Sequence, residues 1–182
     1  MALTEADFMT ALHGYIVAVT GLDGARVFRG NQSRMVLPKS GAYCIYTPII
    51  RQRRGTNLYN FDAAGLPDDK NGTDTMTALV LIDVQVDFYA DYAAQNAQML
   101  EIASRSYMGT NYFKAAGVDV RVCTAQNPRN LTGIDASNQY EERWSVTITA
   151  EINSAIAQTL PWFEDVTYKA FKNVDVFYPP TE

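Results

Sequence analysis

Residues 77–88, TALVLIDVQVDF, alternate in character along their whole length. One phase is Ala78, Val80, Ile82, Val84, Val86 and Phe88; the other turns polar through Asp83, Gln85 and Asp87. Period-2 alternation of this length predicts a strand with one face in a core and the other facing water or a partner. Carboxylates on the outer face favour an antiparallel or mixed sheet over a parallel one buried on both sides. A long helix is predicted next, over residues 90–116, with Asp91 near its start and Gly117 past its end. Ala93, Ala94, Ala97 and Ala103 keep that helix thin enough to lie close to a sheet. A second strand follows over 118–124, with Val118, Val120 and Val122 in one phase and Asp119, Arg121 and Cys123 in the other.

The flanks supply the remaining elements. Thr4 reads as the N-cap of a first helix with Glu5 and Asp7 in its first turn. Phe8, Leu12, Tyr15, Ile16 and Val19 form its apolar stripe, and Gly21 ends it. Residues 27–37 are mixed short extended pieces. Residues 41–51 read as a strand in which Pro48 marks an edge, a bulge or a break. Residues 53–61 are a partner for that strand or the next one. Residues 62–74, rich in Asp and Gly, read as a loop or hairpin tip, and residues 125–139 as a long turn-rich loop. Residues 140–152 alternate again, with Trp144, Val146, Ile148, Ala150 and Ile152 in the inward phase. Leu160-Pro161-Trp162 reads as a corner, residues 166–171 as a strand-like run and residues 172–182 as an extended tail. This order predicts a single α+β domain over 1–182: a mostly antiparallel or mixed sheet with two helices packed on one face.

The 182 residues carry a net charge of −5, which argues against a general nucleic-acid binder. No signal peptide or membrane span is expected. Cys44 and Cys123 read as buried free thiols. His13 is the one histidine, so a His-based triad is not expected, and no P-loop or nucleophile elbow is present. Asp83 and Asp87 share a strand face, and with Glu141 offer carboxylates to a divalent ion. A strand, however, spaces the first two by roughly 13 Å. Neither a cofactor nor a metal is expected. The basic run Arg51, Arg53 and Arg54 stands out in an acidic chain. These arginines read as one side of a subunit contact, with Asp83, Asp87, Glu141 and Glu142 as candidate partners on a neighbour.

Two stretches resemble a known family. VQVDFYADYAAQNAQML, residues 84–100, is similar to its strand-to-helix signature, and NPRNLTGIDASNQYEERWSVTI, residues 127–148, to its loop-to-strand signature. The family is that of bacteriophage neck or tail-terminator proteins. The resemblance covers about two thirds of the chain; it is loose over 27–60 and carries no pattern over 151–182. It implies a structural, non-enzymatic virion protein assembled in the host cytoplasm. Such a protein forms a ring, usually six-fold, that caps the tail tube. The implied partners are further copies of the chain, the tail-tube protein, head-tail connector proteins and the sheath, while DNA passes through the channel without specific binding. A tail-tube subunit, a head-completion adaptor and, less readily, a metal-dependent hydrolase are the alternative readings.

Overall fold

The structure, a computed structural model, describes residues 4–33, 36–38, 40–62, 71–134 and 140–161. The expected strand-like run at 166–171 and tail at 172–182 lie outside the described residues, as do 63–70 and 135–139 within the two expected loops.

Helix α1, Glu5–Thr20, begins at the Thr4 cap. The Thr4 hydroxyl accepts from the Asp7 N–H, and the Asp7 carboxylate accepts from the Thr4 N–H at 2.9 Å, a reciprocal pair that satisfies two orphan donors. The Thr4 hydroxyl also donates to the Asp7 carboxylate at 2.7 Å, and this bond, with the one from the Thr4 N–H, holds the Asp7 carboxyl below its usual range. Gly21 closes the helix at φ 71°, its N–H donating to the Val17 carbonyl. The buried stripe is the expected one with Met9 added.

One large sheet carries the order β1-β2-β4-β9-β5, from β1 (Val27–Arg29), β2 (Tyr43–Arg53), β4 (Asn71–Tyr89), β9 (Arg143–Pro161) and β5 (Val120–Ala125). Among the described residues β1 and β2 run parallel, and the other pairings are antiparallel. β3 (Leu58–Asp62) also pairs β4, and β6 (Arg129–Asn130) pairs β9. β7 (Gly133–Ile134) and β8 (Tyr140–Glu141) form a small separate ribbon. Because β9 occupies one edge of β4 from end to end, β2 and β3 lie in succession along the other. The helices cover one face of the sheet. Their core joins Phe8, Ile16, Leu100 and Phe113 to Val84, Phe88, Ile148 and Ile152.

Several details differ from the sequence reading. The second helix is two helices, α2 (Ala93–Arg105) and α3 (Tyr107–Ala115), separated at Ser106. Ser106 takes extended angles, and its hydroxyl accepts from the Met108 N–H while donating to the Ala103 carbonyl. A serine competes with the helix for backbone partners and so favours a cap over an interior site. The start of α2 is capped by the backbone of Tyr92 in the left-handed region at φ 63°, not by Asp91. Gly117, at φ 75°, does follow the end of α3.

β5 carries a bulge: Val120 faces Ile152 and Val122 faces Glu151, leaving Arg121 as the extra residue. The bulge reverses the alternation, so Val118 and Val120 are buried before it and Cys123 and Ala125 after it. The Pro48 irregularity is likewise a bulge, between Pro48 and Ile50. Strands extend into both ends of the expected 62–74 loop, and β9 reaches Pro161 of the expected corner, whose Trp162 lies outside the described residues. Trp144 keeps its inward phase but is only half-buried, at the margin of the core.

Candidate functional site

The 19-residue strands β4 and β9 pair along their full length, from Tyr89↔Arg143 to Asn71↔Pro161. At the usual rise this is a ribbon of roughly 60 Å. The helices cover only the half nearer Tyr89. Beyond them the sheet continues as a three-stranded arm of β3, the first half of β4 and the second half of β9. The register puts Tyr59, Met76 and Ile156 in one row on the face that the helices cover elsewhere, with Phe61 in the next row of that face. The core stripe therefore runs onto the arm without interruption through Val80, Ala78 and Met76. There Tyr59 is 67% exposed and Ile156 68%, with Met76 half-buried between them, and the stripe ends at Asp74, a buried carboxylate opposite Phe61. The Phe61 ring lies against Gly72, where a Cβ would collide with it.

A second apolar surface lies at the other end of the helical layer. Ala18, Val19, Met99, Ile102, Ala103, Ser106 and Met108 line a groove of about 300 Å³ between the end of α1, α2 and the start of α3. Ile102 is 58% exposed in it.

The sheet face opposite the helices carries Asp83 and Asp87, with Glu141 of β8 against it, and each of these three carboxylates has a partner in its own chain. Asp83 accepts from the Thr149 hydroxyl at 2.7 Å. Asp87 accepts from Gln85 and from Arg143 Nη2 at 2.9 Å. Glu141 accepts from the Tyr43 hydroxyl at 2.8 Å. Tyr43 stacks on Tyr89 with ring centroids 4.6 Å apart, and the Arg143 guanidinium lies over the Tyr89 ring. Burial pushes the Tyr43 and Tyr89 phenols up, and the Glu141 hydrogen bond adds to this for Tyr43. Burial disfavours the Arg143 charge, but the Asp87 hydrogen bond and the charges of Asp87, Tyr89 and Glu141 together more than offset it, and the guanidinium stays firmly protonated. Arg143 Nε is buried with no acceptor. Glu142 is exposed, and its carbonyl accepts from the Ala90 N–H at 3.0 Å.

The basic run is split between faces and roles. Arg51 faces the helical layer and pairs with Glu5 of α1 at 3.2 Å. Asp83 faces Ile50, the residue before Arg51, so that carboxylate and Arg51 lie on opposite faces of the sheet. Arg53 is held locally by the Gly55 carbonyl and Asn57. The Arg54 N–H extends the ladder to Leu79. Its side chain is exposed and without a hydrogen bond or ion pair among the described residues. Sequence reasoning missed the arm and the groove. Ile156 stands alone among small and polar neighbours, and Met99 and Ile102 are not set apart by the sequence from the other large apolar positions of the helix.

Among the described residues no group of three or more His, Cys, Asp and Glu side chains converges on a metal position, and no helix is long and apolar enough to cross a membrane. No curated protein matches the chain. The family of phage neck terminator proteins matches over residues 6–175, through the 27–60 stretch and into the part beyond 151 where the sequence showed no pattern. With nearly the whole chain matched, every strand of the large sheet included, the chain belongs to the phage neck terminator protein family.

Proposed function

We propose that this structural neck protein acts by closing into a ring, with six subunits the expected number. The ring caps the end of the tail tube and joins it to the head-side connector, and DNA passes through its centre without being bound. The family match carries this reading. The geometry supports it, because the described residues present two separate exposed apolar surfaces, as a subunit of an assembly does. It works by contact and performs no catalysis; its partners are further copies, the tube protein, the connector and the sheath, met after assembly in the host cytoplasm. Heterologous contacts between unlike patches close into a ring only if their rotation closes. The test is the native mass of the purified protein, followed by electron micrographs. A monomer in exchange with rings, or a closed ring, is expected. Extended tubes formed by this protein alone would show a tube subunit and overturn the reading.

A further inference from the structure

We propose that the arm of one copy seats in the groove between α1, α2 and α3 of the next copy, an assignment that rests on the ring reading above. The apolar row Tyr59, Met76 and Ile156 lies on the face where the rest of the sheet carries a helical layer, and that layer stops short of it. A neighbouring copy supplies the missing layer with the outer surface of its own α2 and α3, where Met99, Ile102 and Met108 stand exposed.

The two surfaces cannot meet within one chain. The Glu5–Arg51 pair places the start of α1 beside the base of the arm. The groove opens at the other end of α1, at Ala18 and Val19. A 16-residue helix puts roughly 20 Å between them.

Charge fits the same pairing. Arg53 and Arg54 are exposed at the base of the arm, beside β3. The last turn of α1 carries no basic residue, and exposed Asp23 follows it. The negative end of that helix and the Asp23 carboxylate therefore meet the arginines when the arm lies along the groove. The surfaces are unlike, one a projecting ribbon and one a concave groove, so the contact is head-to-tail and propagates around a ring.

The experiment uses the full chain with one substitution in each surface, Ile156→Glu in the arm and Ile102→Glu in the groove, read by analytical ultracentrifugation. Thermal melts check folding, and I156S with I102S replaces the pair if glutamate disturbs the fold. The expected result is that wild type forms rings and each variant alone is monomeric. An equimolar mixture gives dimers and nothing larger, since one intact arm meets one intact groove and the chain then stops. Rings persisting in either variant, or a mixture that stays monomeric, overturn the arm–groove pairing while leaving the ring reading in place. A wild type that is monomeric at its highest soluble concentration overturns both.

Discussion

Asp87 is 5% exposed and Arg143 is 35% exposed in its side chain, so their 2.9 Å pair is buried on one side and wet on the other. Asp87→Ala takes from the guanidinium, whose Nε already lacks an acceptor among the described residues, the carboxylate it is hydrogen-bonded to. Loss of a charged hydrogen bond with a partner left behind costs about 1–3 kcal/mol, and the partial exposure of Arg143 points to the lower half of that range. Urea denaturation of the variant measures it, and an unchanged midpoint would show that the pair contributes nothing. The buried thiol of Cys123 gives a pH dependence. Burial raises it from an ordinary 9.0 to about 11, so the folded chain holds this proton where the unfolded chain has lost it. That contribution is complete below pH 9.0 and is lost as pH rises toward about 11. Tyr15, pushed up to about 12 by burial, extends the loss to higher pH. The melting temperature should therefore fall across this alkaline window, and Cys123→Ala should flatten the fall. Identical slopes in the two proteins would assign the loss to other groups.

At the scale of elements, Ser106 decides that the long helical stretch is two helices. Its hydroxyl serves both ends, donating to the last turn of α2 and accepting from the first turn of α3. Ser106→Ala should cost about 0.5–2 kcal/mol, as removal of an N-cap does. Equilibrium unfolding checks the value, and a variant as stable as wild type would mean that packing alone fixes the break. The arm depends on its ladders more than on burial, because all of β3 is exposed. Thr77 lies in the middle strand of the arm, between Leu58 and Ala155. Thr77→Pro removes a ladder donor there. Amide hydrogen exchange should then show protection lost in the β3, β4 and β9 segments of the arm and kept at Val84 and Val86. Loss of protection at the core as well would show that arm and core unfold as one unit.

For the whole molecule, the arginines at the base of the arm give a prediction about assembly. Arg51 is already paired with Glu5, so the test falls on Arg53 and Arg54. Exposed ion pairs contribute only about 0–1 kcal/mol each, but a ring repeats them at every interface. The double change to glutamine should lower the melting temperature only slightly, through the exposed bonds that Arg53 makes to Gly55 and Asn57, and lower the ring fraction at low salt. Wild-type assembly should weaken toward that of the variant as salt rises. Light scattering against ionic strength reads both, and equal assembly at low salt would make these arginines solvated bystanders.

What was legible from the sequence was what a segment specifies by itself. The stripe and cap of α1, the inward phases of β4 and β9, and the turn glycines Gly21 and Gly117 follow from periodicity and backbone preference within a few neighbouring residues. The α+β class followed from the order of those segments. The family resemblance rested on two such stretches. The tertiary structure decided what depends on residues distant in the chain. Asp83 and Glu141, offered as partners for a neighbour's arginines, accept hydrogen bonds from Thr149 and Tyr43 of their own chain, residues distant in sequence. The bulge at Arg121 turns Cys123 inward because the strand must match the register of β9. The arm exists because β4 and β9 go on pairing after the helical layer ends. A ladder is held by hydrogen bonds available to almost any residue, so where two strands stop pairing leaves little trace in their composition. Which carboxylate is satisfied and which apolar row stays uncovered is set by neighbours brought together only when the sheet forms.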